Sequence, residues 1–433
     1  MVACASPNDL FPLAKSQPSY RVIYSANGGD GAAPVDSQRY VRGAHVTVPD
    51  ATSGLANSGN IFSGWNTLAN GSGSSYAVGD VFSFNANSDV TLFAVWLLGT
   101  SVTIAGGAIS QGSTLPSGQL IIPPGVTSIA PNGFLDCTGI TSVTIPPGVT
   151  DIGNSAFYGC TSLISVTIPA SVTTIGVQAF QGCDLLSSVT LPAGLTAISS
   201  QAFSGCYSLT SMTIPAAVTS IGIAAFDGCY GLTSITIPAA VTSIGLDAFV
   251  GCAGLATISV DPSNPNYKSV GGVLFDKAGT TLLKVPAKFS GFYTIPNGVT
   301  SIGVNAFVDC DGVTGVSIPA SLTSLSGFNS SGLTSLVIPS TVTSILASAF
   351  SPCVHLTTVT IPSSVTSIGI QAFDQCPALT DVYVQNSTPP PLGSPLVFAN
   401  CAPSLKIHVP NPADITTYQS AAWWTTYATI VSP

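Results

Sequence analysis

The sequence predicts a β-rich solenoid of parallel stacked short strands with short helical turns, preceded by a small β domain. Three observations carry that prediction. From residue 145 to 252 a 23-residue unit recurs without a gap: IPPGVTDIGNSAFYGCTSLISVT, then IPASVTTIGVQAFQGCDLLSSVT, then LPAGLTAISSQAFSGCYSLTSMT. A period of that length is the signature of a repeat architecture. Pro recurs at positions 123, 146, 169, 192, 215 and 238, and Phe at 134, 157, 180, 203, 226, 249, 307, 328, 350, 373 and 398, which counts 11 coils. The preceding block, 19–97, has its own pattern. Short alternating runs such as Arg21-Val22-Ile23-Tyr24 and Thr91-Leu92-Phe93-Ala94-Val95-Trp96 are separated by Asn-Gly and Gly-Ser clusters, as strands are by turns.

Within one coil, Ser165-Val166-Thr167-Ile168 alternates, so Val166 and Ile168 face inward and Ser165 and Thr167 outward. Pro169 ends the strand because it brings no N–H to a ladder. Val172 and Ile175 belong to a second short strand, and Gly176 is expected to permit the turn after it. Ala179, Cys183 and Leu186, with Phe180 beside them, place one helical turn on the core. A coil this small cannot offset the entropy of ordering its own backbone. It must share backbone hydrogen bonds with its neighbours, so the strands stack in parallel at roughly 4.8 Å.

The ends and interruptions follow in order. Residues 1–18 read as a linker. The start, MVACASPND, lacks the basic segment and the apolar run of about 7 to 15 residues that a full secretory signal needs. Val2-Ala3-Cys4 matches the tail of a lipoprotein signal, in which Cys4 would carry a lipid anchor, and equally a cloned fragment with a chance Cys. Residues 98–118 are placed to cap the first coil, and 119–433 form the solenoid with a C-terminal cap. One interval is long: between Val260 and Pro296 an irregular segment carries Lys268, Lys277, Lys284 and Lys288. One coil is short, with Ser331-Gly332 where the others have Gly-Cys, and a local kink is expected there.

Composition limits the function. Only 6% of residues are charged, yet no apolar run approaches the roughly 20 residues of a spanning helix. All 18 acidic residues are Asp, against 9 Lys plus Arg, for a net charge of −9. Between Arg42 and Lys268 there is no Lys or Arg, which excludes a basic nucleic-acid groove over the first half of the solenoid.

Two resemblances rest on these residues. Asn27-Gly28-Gly29, Gly64-Trp65, Gly71-Ser72-Gly73 with Tyr76, Gly79-Asp80 and Phe93-Ala94-Val95-Trp96 resemble the bacterial B-repeat module named from internalins. That likeness implies a compact β-grasp-like sheet with little or no helix, used as a spacer or interaction module on cell surfaces. Trp65 and Trp96 are then core residues. The unit IPxxVTSIGxxAFxGCxxLTSVT resembles the BspA-like leucine-rich repeat of bacterial and protozoan surface proteins. The likeness extends to the long coil and to a closing coil with Tyr418, Trp423, Tyr427 and Ile430.

Catalytic and metal chemistry find no support. Nine Cys (137, 160, 183, 206, 229, 252, 310, 353 and 376) share one coil position. They form a buried column whose side chains point the same way, which opposes disulfides, and their spacing lacks a zinc pairing. His45, His355 and His408 lie far apart, no Glu is present, and no nucleophile elbow or phosphate-binding loop appears. The reading is therefore non-enzymatic, without cofactor or metal.

What remains is surface. Ser142, Ser165, Ser188, Ser211 and Ser234 run beside Thr144, Thr167, Thr190, Thr213 and Thr236 as two outward rows. Near the C-terminus the rows change to Val337, Tyr383 and His408, and to Asp381 and Lys406. These five residues and the four lysines of the long coil are the candidate contacts for an extracellular protein or glycan. The resemblance implies a cell-surface or secreted protein that adheres to host matrix proteins or other cells. A structural stalk displaying the N-terminal module is the alternative, with ice binding and glycan hydrolysis behind it.

Overall fold

The computed structural model describes residues 17–51, 54–57, 60–69, 73–98, 102–123, 125–426 and 428–432. Cys4, Gly71, Ser72 and Tyr427 lie outside them. Two compact units are present: one up to Val102 together with Ile121–Gly125, the other comprising Thr103–Leu120 and Val126–Pro433.

In the first unit a four-stranded sheet runs in the order Val22–Ser25, Val90–Leu98, Asn60–Asn66, Ser75–Tyr76. The first two strands are parallel, with Val22 opposite Val90, and the others antiparallel. Trp65 is fully buried, edge-on to Tyr24 at 4.7 Å, and its indole N–H donates to the Pro49 carbonyl at 3.2 Å. Trp96 donates to the Ala26 carbonyl at 2.9 Å and packs against Phe62. Both tryptophans hold the sheet together, as the sequence led one to expect.

The second unit is a β-solenoid of about 14 turns with a period of about 23 residues. The count of 11 by Phe falls short because three turns put no Phe in the stacked column: the hairpin Val102–Ala105 and Ala108–Gln111, the long insertion, and the closing turn that ends on Thr429–Val431. Each regular coil adds one rung to two parallel ladders. Ser142, Ser165 and Ser188 pair in register on the first, Asp151 and Thr174 on the second. The first ladder lapses at residues 211–215, although Met212 and Ile214 stay buried. Val166, Ile168, Val172, Ile175, Ala179, Phe180, Cys183 and Leu186 are all buried, the set the alternation pointed to.

The expected helical turn is not a helix. Along Gln178–Cys183 the N–H groups alternate in direction. Those of Gln178, Phe180 and Gly182 reach the next coil at Ser200, Ala202 and Ser204, while those of Ala179, Gln181 and Cys183 close turns within their own coil. Left-handed Gln178 (φ 61°) and Gly182 (φ 70°) set this alternation and exclude the continuous αR backbone of a helix. Gly176 has a different role from the one predicted. A Cβ there would lie 2.5 Å from the Asn154 amide nitrogen, so Gly permits close stacking on the preceding coil.

The core is a column of phenylalanines. Successive rings from Phe134 to Phe249 and from Phe328 to Phe398 stack at 5.2 to 5.9 Å with planes 4° to 9° apart. Beside it runs the cysteine column, all free thiols. Most donate to the carbonyl of the preceding coil's Phe, as Cys183 does to Phe157 at 3.2 Å and Cys206 to Phe180 at 3.3 Å, while Cys137 at the start of the column donates to Gln111 Oε1 and Cys310 after the insertion to the Val285 carbonyl. In the short coil Ser331 donates to the Phe328 carbonyl, and Phe307 and Phe328 sit 4.7 Å apart with a 23° tilt. The long interval is a meander: Tyr267–Val270, Val273–Asp276 and Thr281–Lys284 pair antiparallel before Thr281–Lys284 rejoins the parallel ladder at Ser301–Ile302. At the C-terminus the buried indole is Trp424, bonded to the Pro390 carbonyl at 3.1 Å, while Trp423 is exposed. Tyr418 closes the cap with a 2.7 Å bond to Asn386.

Two outcomes test this packing. Phe180→Ala should cost about 3–5 kcal/mol in denaturant unfolding, whereas Thr167→Ala on the outer face should change stability by less than about 0.5 kcal/mol. Burial pushes the Cys160, Cys252 and Cys310 thiols up to about 12, and Cys183, Cys206 and Cys229 well above their ordinary value. For an acid whose folded pKa is raised, the stability is whole below the unfolded value near 9.0 and declines above it, as the unfolded thiols ionise and the buried ones stay protonated. The melting temperature should therefore fall from about pH 9 upward. At neutral pH the column should react with a thiol reagent only after denaturation.

Candidate binding face at the C-terminal end of the solenoid

The last five strands of the long ladder are Ser335–Val337, Thr358–Ile361, Asp381–Val384, Lys406–His408 and Thr429–Val431. In-register parallel pairing makes one outward row of Ser335, Thr358, Asp381, Lys406 and Thr429. Beside it runs Val337, Thr360, Tyr383, His408 and Val431. Five predicted contact residues thus share one face. Val337 is 74% and Tyr383 43% exposed, and Lys406 is exposed too.

Three of these side chains lock together. Tyr383 and His408, opposite each other on adjacent strands, stack with centroids 4.3 Å apart and planes 17° apart. His408 Nε2 lies 2.7 Å from Asp381 Oδ1, across the diagonal of the same strand pair. The second oxygen, Asp381 Oδ2, accepts from Thr380 Oγ1 at 2.8 Å. The His408 contact and the Thr380 hydroxyl hold the Asp381 carboxyl below the usual carboxylate range. The imidazole is thereby oriented before any partner arrives, which lowers the ordering cost of binding. Thr380 went unnoticed in the sequence because it precedes the strand, in a further row with Thr334 and Thr357 whose hydroxyls bond to the carbonyl of the preceding coil.

The lysines of the insertion fare differently. Lys268 donates to the Ala278 carbonyl at 3.1 Å, and Lys277 to the Pro262 carbonyl at 3.3 Å and to that of Asn264. Lys288 is exposed. Lys284 is buried, 6% exposed, with its Nζ on the Val308 carbonyl at 2.8 Å, so it is no part of a partner-facing surface. The strand Thr281–Lys284 alternates, and its last residue turns into the core where the ladder resumes. A further exposed feature escaped the sequence reading. Val177, Ile223, Leu246, Val304 and Ile370, which follow a Gly at the same place in their coils, are 40% to 65% exposed.

Residues 113–232, 219–293, 286–403 and 326–426 match the BspA type Leucine rich repeat region, and residues 20–95 match the Listeria-Bacteroides repeat domain. A leucine rich cell surface protein from Faecalibacterium prausnitzii is 34% identical over 66% of this chain and 86% of its own, with a TM-score of 0.54. A leucine-rich repeat protein from Eubacterium ventriosum (23% identity, 75% and 80% covered, TM-score 0.51) and the pneumococcal vaccine antigen PcpA (20%, 77% and 96%, 0.53) share the fold. No curated protein matches. Among the described residues no helix is long and apolar enough to cross a membrane. With the repeat unit matched over most of its length and its Phe and Cys columns stacked coil on coil, the chain belongs to the BspA-type leucine-rich repeat family of surface proteins, with a Listeria-Bacteroides repeat domain before the solenoid.

Proposed function

We propose that this chain is a non-enzymatic cell-surface or secreted binding protein that holds an extracellular protein or glycan on the outer face of its last five strands. One observation carries the reading. An outer face otherwise built of uncharged hydroxyls ends in an aromatic and imidazole stack fixed by a carboxylate, with Lys406 beside it. Large amphipathic side chains held rigid and half-exposed are the kind that dominate binding energy at protein surfaces. The relative described as a cell surface protein supports the location. Adhesion to host matrix proteins or to other cells is the role this face would serve.

The test is a binding screen against immobilised matrix proteins and glycans. Tyr383→Ala and His408→Ala should each weaken the captured partner by about tenfold, about 1.4 kcal/mol. Thr167→Ala, on the uniform part of the face, should leave it unchanged. Equal binding by all three variants would remove this face from the function. Asp381→Asn should weaken binding less than His408→Ala does, since it frees the imidazole without deleting it; a larger loss would point to direct contact by the carboxylate.

A further inference from the structure

The stacking rule fails at the insertion in a way that leaves backbone groups unpaired. In the regular coils the N–H groups around the core Phe reach forward: Ala224 to the Leu246 carbonyl at 2.9 Å, Phe226 to Ala248 at 3.0 Å, Gly228 to Val250 at 2.9 Å. One coil later the matching acceptors are the carbonyls of Val304, Ala306 and Val308. Two of them are taken from elsewhere. Val285 N–H occupies Ala306 at 2.9 Å, and Lys284 Nζ occupies Val308 at 2.8 Å. Gly251 N–H turns to the Asp309 carboxylate at 2.8 Å. Among the described residues, the N–H groups of Asp247 and Phe249 and the carbonyl of Val304 find no partner. Phe249 is buried and Asp247 half-buried, and N–H groups in such places are rarely left so, because each unmade bond costs free energy; the Val304 carbonyl belongs to an exposed residue at the mouth of the break.

A cavity of about 250 Å³ opens at this break. Ile244, Phe249, Leu274 and Leu283 give it apolar walls, and Asp247 and Lys284 give it two opposite charges. The charges are held apart. Lys284 Nζ donates to the carbonyls of Val308 and, at 3.4 Å, Asn305, which leaves one of its three protons. Asp247 Oδ1 accepts from Asn305 Nδ2 at 2.7 Å, which leaves Oδ2. A simple carboxylic acid would meet the Asp247 charge, and a simple amine would meet Lys284. A zwitterion satisfies both.

We propose that this notch binds a free α-amino acid with an apolar side chain. Its carboxylate takes the Asp247 and Phe249 N–H groups and the spare proton of Lys284. Its ammonium takes Asp247 Oδ2 and the Val304 carbonyl, and its side chain fills the space between Ile244, Leu274 and Leu283. A volume of about 250 Å³ admits a molecule of leucine's size. The site lies apart from the C-terminal binding face and stands or falls without it.

The experiment titrates the full chain with L-leucine, isocaproate, which lacks the ammonium, and isoamylamine, which lacks the carboxylate, by calorimetry and by thermal shift. Leucine should bind saturably, and each analogue should bind at least about tenfold more weakly, because a missing group leaves a polar partner of the site unpaired. Asp247→Asn, which keeps a side-chain amide for Asn305, should cost leucine about tenfold and spare isocaproate. No saturable leucine signal up to about 10 mM overturns the proposal. So does an analogue that binds wild type as well as leucine, a comparison that needs no variant to fold.

Discussion

The carbonyl of Phe157 accepts the N–H of Cys160 in its own coil and the thiol of Cys183 in the next, and the same double bond recurs one coil on at Phe180. This shared acceptor shows how the molecule is built. Half the N–H groups of each turn segment close that turn, and the other half are satisfied only by the following coil. A coil alone would leave those donors bare and expose both faces of its Phe ring, so no coil is stable without its neighbours. Stability is then a sum of interfaces between near-identical rungs, and the sequence repeats because the interface does.

Departures from the repeat are therefore confined to what the interface tolerates. Ser330 and Ser331 occupy the places that Gly and Cys hold in the other coils, Ser330 in the left-handed conformation of the Gly, and the Ser331 hydroxyl donates to its own coil's Phe328 carbonyl, which also accepts the Cys353 thiol of the next coil. The insertion departs more. Its antiparallel meander rejoins the ladder at Ser301, and Tyr267 lends its hydroxyl to the Ile244 N–H that has lost its strand partner. The Phe column is interrupted there, with Tyr293 edge-on to Phe307 at 6.0 Å. Lys284 fills part of the gap at the cost of a desolvated amine, and its pKa is lowered by that burial. An amine in such a place is acceptable because two carbonyls receive it, and that of Val308 lacks the N–H donor it would have in a regular coil.

The outer face shows the converse. Where nothing packs, in-register stacking turns one residue per coil into a continuous row, so a change in a single coil changes the surface at one defined spot. The hydroxyl rows are uniform over the early coils, and the exchange of Thr for Tyr383 and His408 creates a rigid aromatic step at one end. A solenoid can vary such a surface without disturbing its core, because inward and outward residues alternate along each strand.

Much of this was legible in the sequence. The period fixed the rung, alternation fixed which of Val166, Thr167 and Ile168 face the core, and equal spacing placed Tyr383 beside His408. These are properties of one coil repeated, and local pattern suffices for them. What only the tertiary structure decided lies where the repeat is broken or where neighbours differ. The turn segment is not helical because alternate N–H groups go to another coil, a choice that residue spacing does not express. Trp424 rather than Trp423 enters the cap, because a left-handed Trp423 turns the chain between them. Lys284 is buried, and the notch beside it exists, because the meander takes up the carbonyls of Ala306 and Val308 that the preceding coil would have used. A periodic sequence determines its own stacking partners; an insertion has no period, so its partners are set by the pairing that the whole chain adopts.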